Sequence, residues 1–210
     1  GLDHLLDIEP DKNFILKGKK YKFLHISSCF PRKGIDVLLN AYSQLFSKED
    51  DVSLIIKTFN NPHNKIKGLL DNLKEKNPSF PEVILIENDL TPQEIKALYL
   101  QSNALISPSR GEGFGLPIGE AMLLGLPVIT TNWGGQTDFC THSNSWLVDY
   151  KFVPSTSHFD LDNSYWAEPL VDNLALQMSS LYNASLPEIL SRTRLAKQSV
   201  TDYKWNNVAN

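Results

Sequence analysis

Two glutamates eight residues apart, Glu112 and Glu120, flank a glycine-rich turn in the middle of this chain. Glycines at positions 111, 113 and 115 allow the backbone to approach a ligand closely and leave N–H groups exposed. A carboxylate can accept two O–H bonds, which suits a pair of neighbouring hydroxyls. The N-terminus of the helix expected after the turn adds a partial positive charge suited to an anion. The pattern therefore predicts a ligand site rather than two surface charges.

These residues belong to a strand, a loop and a helix in succession. Residues 104–107 are a short apolar run followed by a proline, which predicts a buried strand. Residues 118–125 are rich in apolar side chains and stop at a glycine, which predicts a short helix. Glu112 is therefore expected in the loop and Glu120 on the helix.

Short apolar runs alternate with helical patterns along most of the chain. Thr91, Pro92 and Glu94 form a capping box with proline at the first helical position. Runs of β-branched residues without polar alternation are typical of strands buried on both sides. We therefore predict a Rossmann-like α/β fold, a parallel sheet with helices on both faces. The predicted strands are 21–27, 52–57, 83–86, 104–107, 127–130 and 145–148, and the predicted helices are 35–46, 66–76, one beginning at 92, 118–125, 171–182 and 187–200.

The predicted domain extends over residues 21–200, after an N-terminal segment of residues 1–20 and before a tail of residues 201–210. Residues 149–163 are rich in Ser, Pro, Thr and Asp and predict a long loop. Ligands of parallel sheets bind beyond the carboxyl ends of the strands. The loops expected at that edge are 28–34, 57–62, 87–90, 109–117 and 131–138.

Composition argues against several classes of function. The 24 acidic residues exceed the 20 Lys and Arg residues, and no basic strip occurs, which argues against nucleic-acid binding. No apolar segment is long enough to span a bilayer and no signal-peptide pattern occurs, so a cytoplasmic protein is expected. Cys29 and Cys140 lack metal-ligand spacing and predict buried free thiols. The histidines are scattered, and Asp160-Leu161-Asp162 falls in a polar loop, so no metal is expected.

The string SRGEGFGLPIGEAM at residues 109–122 resembles the Glu-x7-Glu motif of retaining GT-B glycosyltransferases of the glycosyl transferases group 1 (family 4) type. Gly1-Leu2-Asp3 and Pro10 resemble the segment that enters the C-terminal domain of such enzymes, and residues 202–209 resemble their closing Trp-centred helix. The resemblance, which covers most of the chain, implies the C-terminal, donor-binding half of a GT-B enzyme, with the N-terminal acceptor domain absent. A natural single-domain protein is the alternative.

The resemblance implies roles for the residues of the central motif. Glu120 matches the glutamate that hydrogen-bonds the donor ribose, and Glu112 matches the one near the transferred sugar. A retaining hydrolase would hold its two carboxyl groups ~5 Å apart across the scissile bond. These two instead bind opposite ends of the donor and are not an acid/base pair. Backbone N–H groups of the turn are expected to contact the sugar or the phosphate, at Gly113, Phe114, Gly115 and Leu116.

The sequence Pro31-Arg32-Lys33-Gly34 resembles the family's R-x-x-x-x-K-G element, whose Arg and Lys clamp the donor diphosphate. Lys33 matches the lysine, and positive charge is needed there because the leaving diphosphate gains negative charge. Ser28 occupies the position of the arginine. Arg32 or Lys57 are candidates to replace it, and a site built from Lys33 and a serine hydroxyl is the other alternative.

Two further loops have family counterparts. In the loop 87–90, Asn88 and Leu90 correspond to residues that hold the nucleobase, although an ordinary strand-to-helix turn explains them equally. The loop 131–138 resembles the family's GG-x-x-E loop, with Asp138 in place of glutamate, and is expected to shape the acceptor side or cap the sugar. Trp133 either stacks on a sugar ring or anchors this loop. Trp166 is expected to pack rather than take part in chemistry.

The function implied is transfer of a hexose, with retention, from a nucleoside diphosphate sugar to a hydroxyl of a glycan or lipid-linked acceptor. Lys33 and Glu112 are the expected catalytic residues, the donor is GDP- or UDP-linked, and no cofactor is implied. The signature is most similar to mannosyltransferase-like members. The chain alone is expected to be inactive, because the basic group on the acceptor side would come from the missing domain. That domain is also the expected route to peripheral association with the cytoplasmic membrane face.

Two other functions stay open at this point. A non-catalytic nucleotide-sugar-binding subunit, acting with a partner chain, would carry the same donor motifs. A GT-B epimerase or phosphorylase is the remaining alternative. A phosphorylase would need a pyridoxal-phosphate lysine, and no lysine of this chain lies in a setting that suggests one.

Overall fold

The computed structural model describes residues 2–155 and 163–203. The Asp160-Leu161-Asp162 sequence and most of the expected Trp-centred helix lie outside them. The strands are β1 (Tyr21–Ile26), β2 (Val52–Lys57), β3 (Glu82–Ile86), β4 (Ala104–Ser107), β5 (Val128–Thr131), β6 (Trp146–Val148), β7 (Tyr150–Pro154) and β8 (Tyr165–Pro169). The helices are α1 (Ile35–Leu45), α2 (Ile66–Lys76), α3 (Pro92–Leu100), α4 (Leu116–Leu123), α5 (Val171–Tyr182) and α6 (Leu186–Val200).

A six-stranded sheet in the order β3-β2-β1-β4-β5-β6 forms the centre of the molecule. Every neighbouring pair in it is parallel. The chain runs outward from β1 to β3 and then returns to β4 beside β1, so the strand order reverses between β1 and β4. A crevice forms at such a reversal, beyond the carboxyl ends of the two strands. The prediction of a Rossmann-like parallel sheet is confirmed.

Helices cover both faces of this sheet, as predicted. Successive strand residues point to opposite faces, so Phe23 joins the core under α1, α2 and α5, whereas Leu24 joins the core under α3, α4 and α6. In β2, Leu54 and Ile56 enter the first core and Ile55 the second. All six β2 residues are buried, as expected of a strand packed on both sides.

Residues before β1 pack against the α3 and α4 side of the sheet. Leu2 is fully buried, and its N–H donates to the Tyr203 carbonyl at 2.9 Å. The Lys96 ammonium on α3 donates to the carbonyls of Leu6 and Ile8 at 3.0 and 2.6 Å. The N-terminal segment is therefore fixed to the body of the domain by backbone hydrogen bonds as well as by apolar contact.

Two local predictions are confirmed. The Thr91 hydroxyl accepts from the Glu94 N–H at 3.2 Å, and the Glu94 carboxylate accepts from the Thr91 N–H at 2.7 Å, which completes the capping box. Cys29 and Cys140 are buried free thiols. Helix α4 begins at Leu116, two residues before the predicted start.

The prediction of a long loop over residues 149–163 is wrong in its first part. Residues 150–154 form β7, which pairs antiparallel with β8. The Ser, Pro and Asp content of the segment conceals the alternation of Tyr150-Lys151-Phe152-Val153. Pairing with a strand more than ten residues later is a tertiary event that local composition does not report.

Among residues 2–155 and 163–203, none of the helices combines the length and the apolar character needed to cross a lipid bilayer.

Candidate functional site

The loops after β1, β4 and β5 meet at the carboxyl edge of the sheet. Gly34 has φ +67°, and a Cβ there would lie 2.0 Å from the Pro108 carbonyl oxygen, so the β1 loop can approach the β4 loop only at glycine. Gly135 donates its N–H to the Glu112 carbonyl at 2.9 Å, and a Cβ at this position would lie 1.7 Å from the Gly113 oxygen. These backbone contacts fix the glycine-rich turn between its two neighbours.

Lys33 and Glu112 form an ion pair across these loops. The Lys33 Nζ lies 2.5 Å from the Glu112 Oε2, which also accepts from the Ser109 hydroxyl at 3.3 Å. Both side chains are largely buried, at 13% and 12% exposure, so solvent screens the attraction only weakly. The two residues expected to be catalytic are therefore in contact, although 79 positions separate them in the sequence.

Glu120 lies on α4 with its carboxylate held from two directions. Its Oε2 accepts from the hydroxyl of the fully buried Tyr99 at 2.7 Å, and its Oε1 lies 3.4 Å from the His4 Nε2. Burial raises the pKa of the Glu120 carboxyl, while the Tyr99 hydroxyl and the His4 ring act in the opposite direction. Tyr99 and His4 were not identified from the sequence, because both contacts depend on packing of α3 and the N-terminal segment against α4.

The candidates for the missing arginine lie in different places. Arg32 is exposed, and its Nη1 donates to the Gly111 carbonyl at 3.0 Å, beside the glycine-rich turn. Lys57 is buried at the end of β2, and its ammonium donates to the Thr58 carbonyl at 2.7 Å. Burial lowers the pKa of Lys57, opposed by the Asp89 charge. Ser28 is half-buried, and its carbonyl accepts from the Asn61 amide at 2.9 Å. Of these, Arg32 contacts the turn directly.

The turn itself presents backbone rather than side chains. The Phe114 ring packs on Phe139 and Tyr203, with ring centroids 5.3 and 5.4 Å away, and so belongs to the core. Gly113 has open space around the position of a Cβ. Gly115 and Leu116 begin α4, and the Leu116 side chain is exposed. The packed Phe114 ring thus anchors a turn whose free face is peptide backbone.

Asn88 and Leu90 lie at the far end of the edge, beyond β3. Asn88 is exposed and donates from its amide to the Asp89 carbonyl at 3.3 Å, whereas Leu90 is half-buried. Both border a cavity of about 280 Å³. Its other walls are Phe14, Ile15, Leu16, Lys17, Ile84, Leu85, Ile86 and Glu94. An apolar cavity of this size with few polar groups suits a flat ring system.

The loop after β5 is anchored by Gln136, a role that no local sequence pattern reveals. Gln136 is fully buried, and its amide donates to the carbonyls of Thr131 and Trp133 at 2.9 and 2.8 Å. Trp133 itself is 44% exposed and so is not the buried anchor of the loop. Asp138 is exposed on the short turn Gly135–Asp138.

Arg110 is another residue whose role the sequence does not reveal. Its guanidinium makes paired bonds with Asp36 at 2.8 and 2.7 Å and with Glu168 at 2.5 and 2.8 Å. It also donates to the Pro31 carbonyl at 2.5 Å and lies 5.0 Å from the Trp166 ring centre. Arg110 therefore joins the β1 loop, α1 and β8 to the start of the turn. Trp166 packs, as expected from the sequence.

The chain matches the family model described as Glycosyl transferases group 1 over residues 7–153. It is 34% identical over 110 residues to the serotype-specific mannosyltransferase WbdA of Escherichia coli, a stretch of 51% of this chain and 13% of that protein. It is 31% identical over 108 residues to the MMP alpha-(1->4)-mannosyltransferase of Mycolicibacterium hassiacum, 51% of this chain and 25% of that protein. The chain thus spans a quarter or less of these relatives.

Solved structures share the fold at lower identity. Sucrose-phosphate synthase from Thermosynechococcus elongatus superimposes with a TM-score of 0.73 and 20% identity, over 98% of this chain and 48% of that one. The C-terminal domain of a glycosyl transferase group 1 family protein (LpcC) from Francisella tularensis gives a TM-score of 0.71 and 20% identity, over 96% of this chain and 98% of that one. With the family model matching most of its length, the chain belongs to the glycosyl transferases group 1 family.

Proposed function

We propose that this chain is the donor-binding half of a retaining hexosyltransferase, which moves a hexose from a nucleoside diphosphate sugar to a hydroxyl of a glycan or lipid-linked acceptor. The observation that carries the proposal is the contact of Lys33 with Glu112 at 2.5 Å, on the same turn that leads into Glu120. Each of these three charged residues suits one part of such a donor: Lys33 the diphosphate, Glu112 the transferred sugar and Glu120 the ribose. The mannosyltransferase relatives favour mannose over glucose as the transferred hexose.

The donor would lie along the carboxyl edge of the sheet. The cavity beside Asn88 and Leu90 takes the nucleobase at the β3 end. Glu120, fixed by Tyr99, accepts two hydrogen bonds from the ribose hydroxyls. The diphosphate then reaches the region where the strand order reverses, near Lys33, Arg32 and the N–H groups of the turn.

Lys33 would exchange partners when the donor binds. Its ammonium is paired with the Glu112 carboxylate, and a diphosphate bound beside it would offer more negative charge than that carboxylate. Transfer of Lys33 to the phosphate releases the Glu112 Oε2 from the ammonium, so both carboxylate oxygens can accept bonds from sugar hydroxyls. The cation then stabilises the charge that the diphosphate gains as its bond to the sugar breaks.

The transfer step is a front-face substitution. The acceptor oxygen forms its bond to the anomeric carbon on the side from which the diphosphate departs, so the configuration is retained. Electrons of the broken bond pass to the diphosphate. The proton of the acceptor hydroxyl passes to a base supplied from outside this chain, by the N-terminal half. For that reason the chain alone would bind the donor without catalysing transfer. No metal or cofactor takes part in this scheme.

Calorimetric titration with GDP, UDP and ADP tests the proposal. One nucleotide should bind, and Glu120→Ala should weaken it by about tenfold or more, because a hydrogen bond to a charged group is lost. Glu75→Ala, at an exposed position of α2, is the matched control and should leave the affinity unchanged. Equal binding by wild type and the Glu120 variant, or no nucleotide bound at all, contradicts the proposed donor site.

A further inference from the structure

The β7–β8 hairpin has two distinct faces. Side chains alternate along each strand, so Trp166 and Glu168 share one face of β8. This face is held down by Arg110, which pairs with Glu168 at 2.5 Å and lies 5.0 Å from the Trp166 ring centre. Arg110 therefore fixes this face of the hairpin to the loops around the glycine-rich turn.

The other face carries aromatic rings toward solvent. Tyr150 and Phe152 lie on this face, with ring centroids 5.3 Å apart. Trp133, from the loop after β5, lies 5.6 Å from Tyr150 and 4.9 Å from Phe152, and its ring is nearly perpendicular to the latter at 89°. Trp133 is 44% and Phe152 54% exposed. We refer to Trp133, Tyr150 and Phe152 as the aromatic shelf.

The loop that carries Trp133 contacts the backbone of the glycine-rich turn at Glu112. Gly135, two residues after Trp133, donates its N–H to the Glu112 carbonyl at 2.9 Å. Along the sheet, the cavity beside β3, the Lys33–Glu112 pair at β1 and β4, and the aromatic shelf at β5 and β6 follow one another in order. A donor with its base at the β3 end therefore has its sugar pointing toward the shelf.

The shape of the aromatic shelf suits a sugar ring. A pyranose has an apolar face of C–H groups, which packs on the electron-rich face of an aromatic ring, and hydroxyls at its rim that remain hydrated. The Trp133 and Phe152 rings meet at nearly a right angle, and each is about half exposed, so both offer apolar ring surface to a sugar. A stable protein–protein contact needs about 800 Å² from each partner, far more than three side chains supply. The geometry thus favours a carbohydrate over a second protein surface.

We propose that the aromatic shelf binds a pyranose residue of the acceptor, which makes the acceptor a glycan chain rather than a bare lipid. The proposal rests on the proposed function and extends it from the donor to the acceptor. In this arrangement the acceptor's sugar residue stacks on Trp133 and Phe152. That contact orients the attacking hydroxyl toward the sugar beside Glu112.

The test is ¹⁹F NMR of the chain labelled with 5-fluorotryptophan, titrated with α-linked mannotetraose, maltotetraose and chitotetraose. The chain has four tryptophans, and the Trp133 signal is the one absent from Trp133→Phe. One tetrasaccharide should shift this signal saturably, while the signal of buried Trp146 stays fixed and reports an intact fold. Phe152→Ala should weaken the saccharide by roughly fivefold to tenfold. Phe59→Ala, equally exposed but located after β2, should not.

Several outcomes would overturn the proposal. If none of the three saccharides moves the Trp133 signal, the shelf does not bind glycans. A Trp133 signal that shifts with protein concentration alone assigns the shelf to a second copy of the chain. Saccharide binding unaffected by Phe152→Ala places the sugar elsewhere. Parallel titration with nucleotide distinguishes the two proposals. If nucleotide binds but no saccharide does, only the proposal for the aromatic shelf is contradicted. If a saccharide binds at Trp133 but no nucleotide binds, only the proposed donor site is contradicted.

Discussion

The Lys33 ammonium lies 2.5 Å from the Glu112 carboxylate, and both side chains are largely buried. The loops after β1 and β4 make this contact at the point where the strand order reverses. A cation already paired in this way can hold a diphosphate only by giving up part of its bond to Glu112. The pair therefore stabilises the contact between the two loops, and it is also the contact that we expect to break when the donor binds.

Removing Lys33 should affect stability and ligand binding by different routes. Lys33→Met leaves the Glu112 charge largely buried without its partner, which costs about 1–3 kcal/mol of unfolding free energy. The double variant with Glu112→Gln should recover part of this loss, since no unpaired charge remains. Urea unfolding of the wild type, Lys33→Met, Glu112→Gln and the double variant measures the coupling. The affinity for a nucleoside diphosphate should fall about tenfold or more in both variants that lack Lys33. If the double variant is no more stable than Lys33→Met, the free energy lost on removing Lys33 does not come from an unpaired Glu112 charge.

Tyr99→Phe should weaken the binding of the nucleotide through Glu120. The variant removes the hydroxyl that donates to the Glu120 Oε2 at 2.7 Å, so the carboxylate loses its fixed orientation toward the ribose. We expect a threefold to tenfold loss of nucleoside diphosphate affinity, about 1 kcal/mol, and no change for inorganic pyrophosphate.

Tyr42→Phe is the matched control for this prediction. Tyr42 is also fully buried, but its hydroxyl donates to the backbone carbonyls of Val52 and Glu82 on the opposite face of the sheet. Both variants should lose about 1 kcal/mol of stability, and only Tyr99→Phe should lose affinity. Equal affinities of the two variants would show that the Tyr99 bond does not position Glu120 for binding.

Arg110→Met should destabilise the domain clearly. It leaves Glu168 partly buried without its cation and releases the clamped face of the hairpin. Because Asp36 is nearly half exposed, we expect roughly 2–3 kcal/mol rather than the full cost of breaking a buried network. Urea unfolding gives the stability, and limited proteolysis of the native protein should show cleavage near β7 and β8.

Arg192→Met provides the comparison for Arg110. Arg192 also lies over a tryptophan, 4.4 Å from the Trp146 ring centre, and its ion pair with Glu188 is more exposed. Its loss should cost about 1 kcal/mol and leave the hairpin resistant to protease. Similar stability losses in the two variants would argue against Arg110 as the anchor of the hairpin.

His25 should make the stability of the domain fall as the pH is lowered. It is fully buried, with Nδ1 2.8 Å from the Ile106 carbonyl oxygen and Nε2 2.7 Å from the Ser27 hydroxyl. Burial lowers the pKa of His25 from 6.5 to about 4. Between these values the unfolded chain binds a proton that the folded chain does not, so the free energy of unfolding falls as the pH drops through this window.

Between pH 7.5 and pH 5, the His25 contribution should amount to about 2 kcal/mol. Urea unfolding at the two pH values measures it. His25→Gln should flatten the dependence by that amount, whereas His142→Gln, at an exposed position, should leave it as in the wild type. If His25→Gln has the same pH dependence of stability as the wild type, a group other than His25 causes that dependence.

Local sequence was sufficient for the fold and for much of the candidate site. The buried strands are rich in apolar residues because helices cover both of their sides. The Thr91 cap marks the start of α3 through purely local hydrogen bonding, whereas α4 begins two residues before the predicted start. The order of strands and helices then places the loops with Lys33, Glu112 and Asn88 at one edge of the sheet, since parallel strands all end there.

Tertiary structure decided which side chains touch. The pairs Lys33–Glu112 and Tyr99–Glu120, the Arg110 clamp and the aromatic shelf each join residues from different elements. The hairpin was missed for the same reason, because β7 and β8 gain their stability from each other and from Arg110 rather than from their own composition. Propensity and spacing act over a few residues along the chain. The strength of a buried ion pair or a ring contact depends instead on the distance between the groups in space and on the exclusion of water. Both are set only when the elements pack together.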